Sequence, residues 1–219
     1  MIVPFGETAL LVELDDWQAS RSLAASIDAA PIPGVVEVVP GLRSVLLELD
    51  RSADAESVVA AVETALRSGP TRTVGGRDRL IPVVYGAEHG PDLADVAERC
   101  GFSPDEVVER HAAAAFDVLF DGFAPGFAYL GEVPEPLRVP RLATPRTRTP
   151  AGSVALAGTM TGIYPADLPG GWRVIGATPV TLFDPARRPP AYLVPGDRVR
   201  FEPMPLDEWS ARSGPPSDW

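Results

Sequence analysis

The chain has 219 residues, 45% of them hydrophobic, and a formal net charge of -11. That length suits one large domain or two small ones with a real core. The charge weighs against nucleic acid and against an anionic membrane surface, both of which recruit clustered Lys and Arg.

The first 86 residues alternate between two periods. "TALLVELD" (8–15) reads as a strand, and "WQASRSLAASIDAA" (17–30) carries apolar residues at 17, 23, 24 and 27, a helical spacing. "GVVEVVPG" (34–41) and "RSVLLELD" (43–50) are strands split by Pro-Gly, a hairpin signal. "DAESVVAAVETALRSG" (54–69) is a helix capped by Asp54 and stopped by Gly69. "SGPTRTVGGRD" (68–78) reads as a loop, and "RLIPVVYG" (79–86) as a sixth element, a strand. The order β-α-β-β-α-β predicts a ferredoxin-like α/β subdomain over 1–86.

Two short helices follow, at 90–101 and 103–116. The second opens with Ser103, Pro104 and Glu106, a capping box. From Asp117 the strand-like pieces are short and separated by turn residues at intervals of about ten, the pattern of a β-barrel or sandwich. The expected fold class is therefore α+β, with a barrel domain over 87–205 and a loose polar tail over 206–219.

All 19 basic residues are arginine, which excludes a Schiff-base lysine and a Walker-type phosphate lysine within this chain. Cys100 is the only cysteine, so no internal disulfide forms and a cysteine zinc site lacks ligands. Beside Gly101 it reads as a structural thiol. His89 and His111 stand far apart with no matching acids, so no metal site is expected; His111 reads as a packed or surface residue. The segment "MIVPFGETALLVEL" lacks a charged n-region and a long apolar run, so no signal peptide is expected and the cytoplasm is the expected address.

Chemistry concentrates in three Gly/Pro/aromatic stretches that suggest one rim of the barrel. These are "DGFAPGFAYLG" (121–131), "PRLATPRTRTPAGSVALAG" (140–158) and "TGIYPADLPGGW" (161–172). Glycine lets backbone approach a ligand and proline stiffens the loops. Arg141 and Arg146 supply cationic forks for carboxylate or phosphate, with Ser153 beside them. Phe123, Pro125, Gly126, Phe127, Tyr129, Tyr164, Gly170, Gly171 and Trp172 are candidates for a pocket or an interface. The aromatics read either as strand core or as an exposed patch for a partner, and the second reading makes Trp172 an anchor of that interface. Arg148 reads as a solvated charge, and Asp121 as a turn cap or an acid. No P-loop and no G-x-S-x-G elbow is present, and no catalytic residue can be named.

The order of "GFAPGFAYLG", "PR…PR…PAGSVALAG", "TGIYP", "PGGW", "IGATP…LFDP" and "PGDRVRF" resembles the KipI/PxpB family, the B-type subunits of 5-oxoprolinase, also called allophanate hydrolase subunit 1. The family's usual "IGRTP" is "IGATP" here, with Ala177 in place of arginine. The resemblance implies an α/β subdomain before a cyclophilin-like barrel. It implies an ATP-dependent 5-oxoprolinase that opens a lactam to glutamate, with ATP and Mg used at the level of the complex. It implies two partners, the carboxyltransferase-like C-type subunit and the A-type subunit of 5-oxoprolinase, and a chain inactive by itself. A KipI-like inhibitor of a sensor histidine kinase, or a subunit of an allophanate- or urea-type amidohydrolase or carboxyltransferase, are the alternatives.

Overall fold

Residues 1–68 and 76–219 are described by the computed structural model, and the chain divides into two units, Met1–Gly75 and Gly76–Trp219. The first unit holds β1 (Ile2–Pro4), β2 (Ala9–Glu13), α1 (Trp17–Ala29), β3 (Val35–Pro40), β4 (Ser44–Leu49) and α2 (Ala55–Arg67). Each helix starts where an aspartate accepts an otherwise unpaired N–H: Asp16 from Ala19 at 2.8 Å and Asp54 from Glu56 at 3.3 Å. The expected stop at Gly69 and most of the 68–78 loop fall outside the described residues. Leu23, Ile27, Val58 and Val62 from the helices bury against Leu10, Val12, Val45 and Leu47 of the sheet. That alternation fixes which sheet face carries the helices.

The sheet order is β1-β2-β4-β3, antiparallel throughout. β4 lies between β2 and β3, as the split β-α-β reading requires. The edge beside β2 belongs to β1, a three-residue strand the periodicity does not show. The strand expected to close this sheet, 79–86, is elsewhere, so the boundary at residue 86 is corrected to Gly75–Gly76.

That strand is β5 (Asp78–Tyr85), and it completes the second unit. After it come α3 (Leu93–Cys100), α4 (Pro104–Ala113), β6 (Ala115–Asp121), β7 (Ala128–Gly131), β8 (Arg146–Thr149) and β9 (Ser153–Ala157). The chain ends through β10 (Met160–Ile163), β11 (Leu168–Gly170), β12 (Arg173–Ala177) and β13 (Arg198–Pro203). Seven of these close a barrel in the order β10-β7-β6-β13-β5-β12-β9, and β8 pairs with β11 as a separate ribbon. β5 runs parallel to β13 from Asp78↔Arg198 to Val83↔Pro203, and its far end pairs antiparallel with β12. Without β5 the barrel would have two open edges, each a row of unpaired backbone groups. Alternation of Ile81 and Val83 suits either unit, and only the pairing with a strand over a hundred residues away decides.

Ile81, Val83, Phe116, Val118, Leu130, Leu156, Ile175, Val199 and Phe201 form the barrel core, and α3 and α4 pack Leu93, Val96 and Val107 onto it. The capping box at Ser103 and Glu106 is present in both directions, and Gly101 ends α3 in the left-handed region at φ +71°. His111 is fully buried. Its Nδ1 lies 2.8 Å from Tyr85 Oη, its Nε2 lies 3.1 Å from Thr161 Oγ1, and its ring stacks on Phe201. Burial among uncharged neighbours pushes the imidazole down to about 3, so this is a packed, neutral histidine. Burial pushes the Cys100 thiol up, in keeping with a structural role.

The segment 206–219, expected to be loose, is pinned. Arg79, almost wholly buried, donates from Nε to Asp197 at 3.2 Å and from Nη1 to Asp218 at 2.7 Å. Tyr192 Oη donates to the Asp218 carboxylate, and Trp219 Nε1 donates to Pro189 O at 3.0 Å. A polar segment carries no hydrophobic period, so an anchoring charge pair is invisible to that reading. Among the described residues no helix is long and apolar enough to cross a membrane, and no cluster of three or more His, Cys, Asp or Glu is placed to hold a metal ion.

Candidate functional site

The expected site residues gather on the outer wall of the barrel. Tyr129, Gly162, Ala155 and Val174 stand side by side across β7, β10, β9 and β12. Small residues in that row leave room for large rings above it. A Cβ at Gly162 would lie 3.2 Å from the Trp172 ring and 3.4 Å from the Phe127 ring, so both rings rest on this glycine. Phe127 is the hub. It meets Tyr164, Trp172 and Phe123 nearly perpendicular at 5.3, 5.6 and 5.4 Å, and Tyr129 at 5.0 Å. Edge-to-face contacts of this kind are the favoured aromatic geometry.

The patch of exposed aromatics is therefore corrected. Phe127, Tyr164 and Trp172 are buried, with Trp172 only 6% exposed. They form a cluster of their own with Ala155, Ala157 and Val174. The rim keeps Phe123, 59% exposed, together with exposed Pro125 and half-buried Tyr129. Glycine-rich loops do run over surfaces, but here the ribbon of β8 and β11 folds back so that the rings cover the wall. Gly170 is required by this closure, since a Cβ there would collide with Tyr164 Oη. Gly171 has no such constraint, its nearest neighbour being Pro145 at 3.6 Å.

Loop 122–127 is held by Gly122 N–H to Phe127 O at 3.1 Å and Phe127 N–H to Ala124 O at 3.0 Å. Gly126 takes φ +78°, and a Cβ there would lie 2.7 Å from Phe183 Cβ, a position only glycine fits. Phe123 adopts φ +68° without being glycine. Such strain persists where surrounding structure enforces it, often at functional loops.

The arginines separate sharply. Arg146 donates to Asp92 Oδ1 at 2.6 Å, while Asp92 Oδ2 accepts from Val174 N at 2.7 Å. Arg146 thus ties the ribbon to α3 and β12 and is not a free anion fork. Arg148 pairs with Asp167 at the surface, at 2.9 Å from Nε. Arg173, which the motifs do not single out, is buried and bridges Asp95 and Pro140 O. Arg141 remains exposed, with no carboxylate partner among the described residues. Its guanidinium carbon stands 6.0 Å from the Trp172 ring centroid. Burial raises the phenols of Tyr129 and Tyr164, and the charge of Arg141 opposes that shift in both. Ser153 is buried at the start of β9, where its carbonyl accepts from Tyr164 N at 3.0 Å; it is not on the rim. Ala177, at the family's usual arginine position, is also buried in β12.

Among the described residues Asp121 neither caps a turn nor pairs with a cation. Its Oδ1 is buried without a hydrogen bond. Burial, with repulsion from Asp197 second, pushes its carboxyl up to about 7. By register with Ala128 it faces the barrel core and not the aromatic wall.

A closed barrel that follows an α/β unit in the chain has counterparts among known proteins. A family model described as carboxyltransferase domain, subdomain C and D, matches residues 1–193. The B-type subunit of 5-oxoprolinase from Escherichia coli O157:H7 is 42% identical over 91% of this chain and 94% of its own. That of Bacillus subtilis (strain 168) is 41% identical over 83% and 80%. The crystal structure of TTHA0988 superposes with a TM-score of 0.78 at 35% identity; it covers 94% of this chain, which spans 40% of that longer one. The urea amidolyase of K. lactis, at 21% identity and TM-score 0.76, shares the fold over 96% of this chain and 15% of its own. The chain belongs to this carboxyltransferase-domain family and, within it, to the group of B-type 5-oxoprolinase subunits.

Proposed function

We propose that the chain is one subunit of an ATP-dependent 5-oxoprolinase, and that Arg141 receives the substrate carboxylate. A lactam is a poor electrophile. Phosphorylation of its oxygen by ATP makes the ring carbon attackable, and the reaction then needs the substrate held by a group that takes no part in bond breaking. The observation that carries this reading is the position of Arg141: a guanidinium over Trp172 with no carboxylate partner among the described residues, on a chain of strongly negative charge. A planar fork above an aromatic floor suits a flat ring bearing a carboxylate. Phe123 and Pro125 then supply the apolar edge.

ATP and its magnesium belong to the complex. Arg146 and Arg148 are committed to Asp92 and Asp167, and the sequence has no P-loop, so this chain offers its residues to the lactam acid and not to the nucleotide. The partners are the carboxyltransferase-like C-type subunit and the A-type subunit, and the chain is silent without them. The test is steady-state kinetics of the assembled complex. Arg141→Ala should raise KM for 5-oxoproline about tenfold or more, and Arg141→Lys should restore only part of it. Unchanged KM in both variants would remove Arg141 from the site.

A further inference from the structure

Among the described residues, the helices of the first unit pack on one face of its sheet and leave the other face without them. Val3 stands opposite Leu11, Leu11 opposite Leu46, and Leu46 opposite Val39. One lateral row thus crosses all four strands and is apolar at every position. The alternate positions Leu10, Val12, Val45 and Leu47 supply the core under α1 and α2. None of the four row residues belongs to a core cluster; Val39 is 40% exposed and the others are half-buried. Phe5, 56% exposed, extends this surface where its N–H donates to Ala9 O at 2.8 Å.

Acid borders the row on both sides. Ala9, Glu48 and Glu37 lie opposite one another on one flank, and Glu13 lies opposite Ser44 on the other. Glu13, Glu37 and Glu48 are exposed, and among the described residues none forms an ion pair. The open face of an antiparallel sheet is ordinarily polar. An apolar strip rimmed by unpaired carboxylates has instead the composition of an interface core and its rim. Two copies of this chain joined by a two-fold axis along the strip would set glutamate against glutamate, which repels. On the barrel, meanwhile, Phe127, Tyr164 and Trp172 are buried, which leaves only Phe123 and part of Tyr129 of that ring cluster at the surface.

We infer that this sheet face docks another member of the complex, the carboxyltransferase-like one, through an apolar strip bordered by arginine or lysine. The inference rests on the reading above of the chain as one subunit of a 5-oxoprolinase. Calorimetry with the purified carboxyltransferase-like subunit, at low and moderate salt, tests it. The Val39→Asp/Leu46→Asp variant should weaken Kd about 100-fold. The Glu37→Arg/Glu48→Arg variant, which leaves the helix-side core untouched, should weaken Kd about tenfold and flatten its salt dependence. Arg148→Ala should bind as the wild type does. If the aspartate variant fails to fold by circular dichroism, the charge-reversal variant decides. Wild-type Kd in both variants would overturn the docking face while leaving the 5-oxoprolinase reading intact. Absence of binding by the wild-type chain would overturn both. A dimer of the wild-type chain alone that either variant splits would assign the face to a second copy and overturn the inference.

Discussion

Replacing Trp172 with alanine separates a core residue from an interface anchor. Trp172 is 6% exposed, packs perpendicular to Phe127 at 5.6 Å, meets Tyr129 at 5.7 Å, and rests on Gly162. Truncating a buried tryptophan removes its transfer free energy and leaves a cavity, together about 3–5 kcal/mol. The wall beneath is small residues on a closed barrel, which cannot collapse to fill the space, so the upper half of that range applies. For a unit of this size each kcal/mol shifts Tm by about 2–4 °C, so the second unit's transition should fall by roughly 8–20 °C. Differential scanning calorimetry reads this directly. A Tm unchanged within about 2 °C, together with lost binding to a partner subunit, would refute the buried placement and restore Trp172 to an interface.

Gly170→Ala should destabilise by more than about 2 kcal/mol in urea denaturation, because its Cβ would collide with Tyr164 Oη. Arg79→Met should cost about 3–5 kcal/mol by leaving Asp197 buried and unpaired, whereas Asp218→Ala, on a half-exposed partner, should cost about 1 kcal/mol or less; equal losses would contradict the asymmetry. Stability should also respond to Asp121. Its carboxyl, at about 7 against an ordinary 3.8, keeps a proton that the unfolded chain loses, so its contribution is present below about pH 4 and lost as pH rises to about 7. His111, at about 3 against 6.5, acts oppositely: its contribution is present above about 6.5 and lost as pH falls toward 3. Asp121→Asn should therefore be more stable than wild type at pH 8 by about 1–2 kcal/mol, with the gain vanishing near pH 4 in denaturant titrations.

Local signals were legible where a local cause exists. Asp54 and the Ser103–Glu106 box cap helices through bonds within three residues, and alternation in 43–50 marks a half-buried strand. β5 shows the limit. Its sequence states that one face is apolar but not that its parallel neighbour lies near residue 200. The burial of Trp172 was hidden for a related reason, since it depends on the small residues Gly162 and Ala155 lying beneath a folded-back ribbon. The arginines of 141–148 look alike in sequence, and only Asp92 and Asp167, distant along the chain, divide them into two tethers and one fork with no carboxylate partner among the described residues. Asp92 itself carries no signal beyond preceding a helix.

Reconstitution is the most direct measurement. The chain is combined with the two proposed partners, the carboxyltransferase-like subunit and the A-type subunit, and glutamate formed from 5-oxoproline in the presence of ATP and magnesium is followed, with each component omitted in turn. Turnover should require every component, and the chain alone should hydrolyse no ATP in response to 5-oxoproline. Full turnover by the other two subunits without this chain, or robust turnover by this chain alone, would contradict its place as one subunit of a 5-oxoprolinase.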